Sequence, residues 1–471
     1  MPPQQLRKPS SNAVSPARRE AFATLLELDR NHGHSDDLLR GHRVSALSAQ
    51  DRNLCTTLVM GVLRWQIRLD SLIKPLLAKP NARLDPEIRI ALRLGALQLL
   101  FLDRIPAHAA IGESVALAKA AGHKFASGMV NAVLRKLAAS LHPEPVPPPG
   151  LNPKELAGAT AHPEWLVERW EANYGLEAAR AICLHGQCQP ELTIRLNPAD
   201  VPALEVELAE QGIILAPGAL LASARRVLSG DITSTAAFQS GRIRIQDEGS
   251  QLIAELGGDT TRLPKKILDC CAAPGGKTLI LAERNPQAQI TALEISPERC
   301  QALQARVAAS PYAAQIAVRL GDATQNTAAP AYDLVLADVP CSGTGTLGRN
   351  PEIRHRLQSA DLARYHQRQC AILQNALNAA AGKVIYSTCS LEPEENSAVV
   401  AEVLAQASGW RQVPVSTALI KLREEDVLSP GGDRALAVSQ ALDGSMTILP
   451  GSLGPEVATD GFFIAILERE S

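Results

Sequence analysis

Apolar residues recur every three to four positions over residues 21–28, 54–63, 88–102, 111–120 and 129–137, the spacing that lines one face of a helix. Pro75, Pro80, Pro86 and Pro106 fall between these stretches, where a residue without an amide hydrogen can open or close a helix. Residues 16–141 are therefore expected to form an all-α bundle, behind a polar, disordered lead-in at 1–15. His142-Pro-Glu-Pro-Val-Pro-Pro-Pro-Gly150 cannot continue a helix and reads as a stiff linker. Residues 151–240 mix helical spacing at 163–174 and 176–184 with apolar alternation at 192–196, so a small α/β subdomain is expected there. The rhythm then changes. Short apolar runs at 266–268, 289–294, 316–320, 334–337, 383–387 and 462–467, mostly separated by helical segments, predict a Rossmann-like, doubly wound α/β domain over 241–471. In such sheets ligands sit beyond the carboxyl ends of the strands.

Composition narrows the class. A chain of 471 residues exceeds what one core serves, and 46% apolar with 20% charged residues is ordinary for a globular protein. No apolar run reaches the length of a membrane span, and the polar start lacks a signal core, so a cytoplasmic protein without membrane contact is expected. Nine cysteines, an odd number, fit reduced thiols better than a disulfide framework. No Cys-x-x-Cys pair occurs, and Cys183, His185 and Cys188 lack a second ligand pair, so no metal is expected. Residues 1–145 hold 20 Lys and Arg against 12 Asp and Glu, leaving 27 against 37 for the rest. A basic module joined to an acidic one points to an anionic partner for the first.

Three motifs carry candidate chemistry, each at the end of an expected strand. The first is Asp269-Cys-Cys-Ala-Ala-Pro-Gly-Gly-Lys-Thr278, a tight turn opening a helix near Lys277. Glycines there let a ligand approach the backbone, and a helix start favours an anionic group. It is neither a Walker A loop nor Gly-x-Gly-x-x-Gly, so a carboxylate-bearing ligand and a phosphate stay equally open, as does an ordinary glycine turn. Glu294 ends the next strand, where a carboxylate can accept from ribose hydroxyls, and Asp322 after the third could accept from an adenine amino group. The second and third motifs are Asp338-Val-Pro-Cys-Ser-Gly-Thr-Gly345 and Tyr386-Ser-Thr-Cys-Ser-Leu-Glu-Pro-Glu-Glu-Asn396. Each presents a thiol, Cys341 or Cys389, in a loop at the cofactor edge. Carbon 5 of cytosine is too poor a nucleophile to take a methyl group unaided. A thiolate adding to carbon 6 makes it enamine-like, and a second group is then useful for losing the carbon 5 proton and expelling the thiol. Asp338 could meanwhile hydrogen-bond the pyrimidine edge.

Cys271-Ala-Ala-Pro-Gly-Gly-Lys277, Asp338-Val-Pro-Cys-Ser-Gly-Thr-Gly345 and Ser387-Thr-Cys-Ser390 resemble, in order, the signature motifs of RNA 5-methylcytosine methyltransferases, over about residues 230–471. The resemblance implies Cys389 as covalent nucleophile, Cys341 as the partner for proton removal and product release, and Asp338 against the base. It also implies that Cys271, Ala272, Ala273, Pro274, Gly275, Gly276, Lys277, Glu294, Asp322 and Asp338 surround S-adenosylmethionine. Two departures stand out: Val339 replaces the usual proline, and Glu294 stands where Asp is common. Gly61-Val-Leu-Arg64, Leu92-Arg-Leu-Gly95, Ile105-Pro-Ala-His108 and Val130-Asn-Ala-Val-Leu-Arg135 resemble the NusB-like RNA-binding bundle. The fusion is similar to bacterial small-subunit ribosomal RNA cytosine-5 methyltransferases. It implies an enzyme that methylates one cytosine of 16S ribosomal RNA, naked or in a partial 30S particle, with the base flipped out of its stack; as nothing in the sequence suggests a long coiled coil, a monomer is expected. Arg18, Arg19, Arg64, Arg93 and Arg135 are candidate phosphate contacts through charge, against the alternative that most are solvated or paired with helix carboxylates. The competing reading is a non-catalytic RNA-binding assembly factor that retains the fold; a nicotinamide-dependent dehydrogenase lacks its fingerprint.

Overall fold

A computed structural model describes residues 14–31, 33–139, 147–258, 263–325, 331–454 and 459–470. The chain divides into two units, residues 1–187 with 350–356, and 188–349 with 357–471. Among the described residues no helix is long and apolar enough to cross a membrane.

In the first unit every expected helical stretch of the bundle lies within or at the ends of an observed helix: Pro16–Asn31, Ala49–Ile73, Pro86–Phe101, Ala107–Ala120 and Ser127–Ala138. Their starts follow local chemistry. The Ser48 side chain accepts from the Asp51 amide, and Pro86 supplies a first-turn residue that needs no partner for its nitrogen. Leu58, Val62, Ile90, Leu94, Val130 and Leu134 form the dry centre. The helices pack closely at Gly95, where an added Cβ would lie 2.5 Å from Leu134 Cδ1 and 2.8 Å from Ser114 Oγ. The lead-in expected at 1–15 lies outside the described residues up to 13, but Ser15 is tied down: its amide and hydroxyl donate to Glu113 at 2.8 and 2.7 Å. The expected linker lies outside them through residue 146; Pro147 and Pro148 carbonyls accept from the Arg180 guanidinium.

The arginines expected at phosphates need correcting. Arg18, Arg64 and Arg93 are buried. Arg18 pairs with Glu113 at 3.0 Å and Gln98 at 2.6 Å, and Arg93 grips Asp70 through two bonds of 2.8 and 2.6 Å. Three of the five charges turn inward, and Arg18 and Arg93 take the alternative of pairing with helix carboxylates. Arg19 and Arg135 are exposed.

Helices Pro153–Ala159, Glu164–Tyr174 and Leu176–Gln187 also belong to the first unit; the first and third pack on Ala49–Ile73. So does a short return of the chain at 350–356. There Arg354 is fully buried and donates to the carbonyls of Arg64, Ala161 and Gly186 at 3.1, 3.3 and 2.9 Å. Burial, then Arg64, pulls its pKa down to about 9. Glu352 accepts from the amide and hydroxyl of Ser35 at 3.0 Å.

The second unit holds two sheets. β1 (Leu192–Leu196), β2 (Ile214–Pro217), β3 (Ala224–Ser229) and β4 (Ile243–Ile245) form an antiparallel sheet of order β2-β3-β1-β4. The larger sheet comprises β5 (Lys266–Asp269), β6 (Gln289–Glu294), β7 (Ile316–Leu320), β8 (Tyr332–Asp338), β9 (Ala380–Thr388), β10 (Trp410–Val413), β11 (Met446–Ile448) and β12 (Phe462–Arg469). Its order is β10-β12-β9-β8-β5-β6-β7, with β11 on β12. β5 to β9 run parallel, while β12 is antiparallel to β9, β10 and β11. This is the expected doubly wound sheet with an antiparallel edge. Its strand order reverses between β5 and β8, the place where such sheets bind ligands. The six strands expected here are all present; β10 and β11 are additions of four and three residues, too short to stand out in sequence.

Candidate active site

β5, β6, β8 and β9 deliver the candidate residues to one end of the sheet. β5 ends on Asp269, which is fully buried and accepts from the Thr278 hydroxyl at 2.7 Å. Burial pushes its carboxyl up to about 6 against the pull of that bond. The turn that follows has a positive φ of 98° at Gly275, and a Cβ there would lie 2.6 Å from Leu303 Cδ1. Glycine is required on both counts. Helix Gly276–Arg284 then begins and carries Lys277 back over the sheet end. Lys277 Nζ donates to Asp338 Oδ2 at 2.7 Å, and the Ser387 hydroxyl donates to Asp338 Oδ1 at 2.8 Å. The terminal residue of β8 is thereby held by one group from β9 and one from the glycine turn. Burial works against the Lys277 charge, but Asp338 outweighs it and the ammonium's pKa ends above its usual value.

The two thiols converge. Cys341 Sγ and Cys389 Sγ lie 3.3 Å apart, both half-buried. The hydrogen bond to Cys389 and then burial raise the Cys341 pKa well above that of an ordinary thiol, and either sulfur can donate to the other. Backbone bonds lace the two loops together: the Gly345 amide donates to the Cys389 carbonyl at 2.9 Å and the Gly461 amide to the Gly345 carbonyl at 2.8 Å. A Cβ on Gly345 would sit 2.4 Å from the Gly461 oxygen.

A cavity of about 330 Å³ gathers most of the expected residues: Cys271, Ala273, Glu294, Asp322, Asp338, Cys341 and Cys389 line it. Ala272, Pro274, Gly275, Gly276 and Lys277 do not; they shape the turn, and Lys277 acts through Asp338. Glu294, at the end of β6, is almost wholly buried and accepts the Ser296 amide at 2.9 Å. Asp322 accepts the amide and hydroxyl of Thr324, and the amide bond foremost lowers its pKa. Carboxylates at one side and thiols at the other suit a ligand with hydroxyl and amino donors and a cationic centre, and the volume lies within the range of small-molecule sites.

Three residues escaped the sequence reading. Arg299 and Arg368 line the same cavity from helices Pro297–Ala308 and Asp361–Ala379, and Arg299 also donates to the Ala273 carbonyl at 2.8 Å. Glu395 is fully buried. Its Oε1 accepts from the Ser342 amide at 2.8 Å and Gln369 Nε2 at 3.0 Å, and its Oε2 accepts from the hydroxyls of Ser342 and Ser390. One carboxylate thus joins the residue after Cys341 to the residue after Cys389. A cluster of polar residues following a thiol was the available signal, but its partners lie in other loops.

Comparison with known proteins agrees along the chain. Residues 261–468 match the family described as 16S rRNA methyltransferase RsmB/F, residues 15–139 match the NusB family, and residues 162–229 match the RsmF/B-like ferredoxin-like domain. The chain is 33% identical over 467 residues to the probable ribosomal RNA small subunit methyltransferase B of Bacillus subtilis, covering 96% of this chain and 98% of that one. It is 32% identical to the ribosomal RNA small subunit methyltransferase B of Pseudomonas syringae pv. tomato, over 79% of this chain and 83% of its relative. In fold it is similar to the crystal structure of PH0851, with a TM-score of 0.76 at 23% identity over 97% of this chain and 99% of the other. The chain belongs to the RsmB/F family of 16S rRNA methyltransferases.

Proposed function

We propose that the protein transfers a methyl group from S-adenosylmethionine to carbon 5 of one cytosine of 16S ribosomal RNA, through a covalent bond between Cys389 and the base. The observation that carries this reading is the 3.3 Å approach of Cys341 and Cys389 beside a carboxylate-lined cavity. The cofactor supplies the methyl group as an electrophilic sulfonium. Glu294 and Asp322 would hold its hydroxyl and amino groups, in the cavity that Cys271 and Ala273 also line. Cys389 adds as thiolate to carbon 6, which leaves carbon 5 electron-rich enough to take the methyl group. Asp338, fixed by Lys277 and Ser387, accepts from the amino edge of the flipped base. Cys341, as a thiolate once its own proton has passed to solvent, then removes the carbon 5 proton, the electron pair re-forms the 5,6 double bond, and the bond from Cys389 to carbon 6 breaks to release Cys389 as thiolate. The first unit contributes RNA binding by charge, and the protein works as a monomer on RNA that is naked or partly assembled into the small subunit.

Replacing Cys341 by alanine tests the scheme. With Cys389 intact and release blocked, incubation with 16S RNA and S-adenosylmethionine is expected to yield a protein–RNA adduct stable to denaturing electrophoresis. Absence of any adduct, with RNA binding retained, would refute the thiol mechanism.

A further inference from the structure

Away from the cavity, helix Asp361–Ala379 places His366 and Cys370 one turn apart, and helix Ser397–Leu404, packed against it, contributes Glu402. One ligand atom from each lies within 4.8 Å of the others. His366 Nδ1 is 2.6 Å from the Glu394 carbonyl, which can only accept, so that nitrogen carries a hydrogen and Nε2 is aimed at the other two groups. Nε2 lies 2.9 Å from Glu402 Oε2 and 3.5 Å from Cys370 Sγ. We infer that His366, Cys370 and Glu402 form a binding site for a zinc-class divalent cation.

The geometry is close to what such an ion needs. Zinc bonds of roughly 2.0–2.3 Å put tetrahedral ligands roughly 3.3–3.7 Å apart; the imidazole and thiol already stand at that spacing, and the imidazole and carboxylate must open by a few tenths of an ångström. Nitrogen, sulfur and oxygen together suit zinc better than magnesium or calcium. A backbone carbonyl fixing the far ring nitrogen is the usual support of a metal-bound histidine. Side-chain exposures of 22% for His366 and 53% for Glu402 leave a path for the ion and a fourth position for water. Among the described residues this is the one group of three such side chains in that geometry. None of the three lines the thiol cavity, yet the helix that carries two of them also sends Gln369 to Pro340 and Glu395. A cation here would tie that helix to the segment following Cys389.

The test uses the full-length protein, kept reduced with a phosphine, titrated with Co2+ and then Zn2+. One equivalent of cobalt is expected to give a thiolate-to-cobalt charge-transfer absorption that zinc abolishes. The band should persist in a Cys341→Ser/Cys389→Ser variant, vanish in Cys370→Ser, and weaken at least about tenfold in His366→Gln. Zinc should raise the thermal midpoint of the wild type and not that of Cys370→Ser, whose unliganded midpoint reports an intact fold. No band in the wild type overturns the inference. So does a band that survives Cys370→Ser and disappears with Cys341 and Cys389.

Discussion

Replacing Glu395 separates a carboxylate that positions both thiol loops from one that merely fills space. Glu395→Ala removes four acceptor contacts and leaves the Ser342 amide and the Gln369 side chain facing a dry gap. Each buried donor left unmade costs about 1–3 kcal/mol, and the serine hydroxyls can still bond each other across 3.0 Å, so the local loss comes to roughly 3–5 kcal/mol. Glu395→Gln keeps the volume and two acceptor bonds while turning charge-assisted contacts into neutral ones, a loss of about 1–2 kcal/mol. Hydrogen exchange of peptides spanning 341–349 and 389–396 reads this directly, because it follows local opening. At about 1.4 kcal/mol per tenfold, exchange there should quicken by two to three and a half powers of ten in the alanine variant and by about one in the glutamine variant. Turnover should fall about a hundredfold for alanine, the scale expected when a reacting group is misplaced by about an ångström. If both peptides exchange at wild-type rates in Glu395→Ala, the carboxylate does not hold the two loops and the reasoning fails.

Asp269 makes a pH prediction. Its folded pKa of about 6 lies above the unfolded value of 3.8, so between these pH values the folded state binds more protons. Stability therefore falls as pH rises through that window and levels off above it, by about 3 kcal/mol; urea titrations at intervals across the window should show that slope in the wild type and not in Asp269→Asn. In the bundle, Gly95→Ala must push Leu134 and Ser114 aside, which costs about 1–3 kcal/mol and should lower the thermal midpoint of the first unit by several degrees without altering the distance-dependent chemistry of the thiol pair.

Much of the candidate site was legible because each motif ends a strand. Apolar runs bounded by glycine and proline located β5, β6, β7, β8 and β9 to within a few residues, and parallel strands of one sheet end together by construction. Cys271, Glu294, Asp322, Asp338, Cys341 and Cys389 consequently share a cavity, the grouping expected of residues at neighbouring strand ends. What was not legible depends on pairing across distance. Arg18 and Arg93 carry the same charge as Arg19 and Arg135, and only the packed bundle brings Glu113 and Asp70 to the first two. Glu395, Arg299 and Arg368 likewise have partners or neighbours far along the chain. Membership of 350–356 in the first unit is the extreme case, since Arg354 finds three carbonyls from three separate helices or turns.

That brief visit of the chain has a topological consequence. The peptide leaving the Cys341 loop is threaded into the helical half and comes out again before Leu357. Scission of the chain before residue 150 would fall within this first unit, where residues 350–356 would still hold the bundle through Ser35, Leu63 and Arg64. One unit is thus assembled from two stretches of sequence more than 160 residues apart.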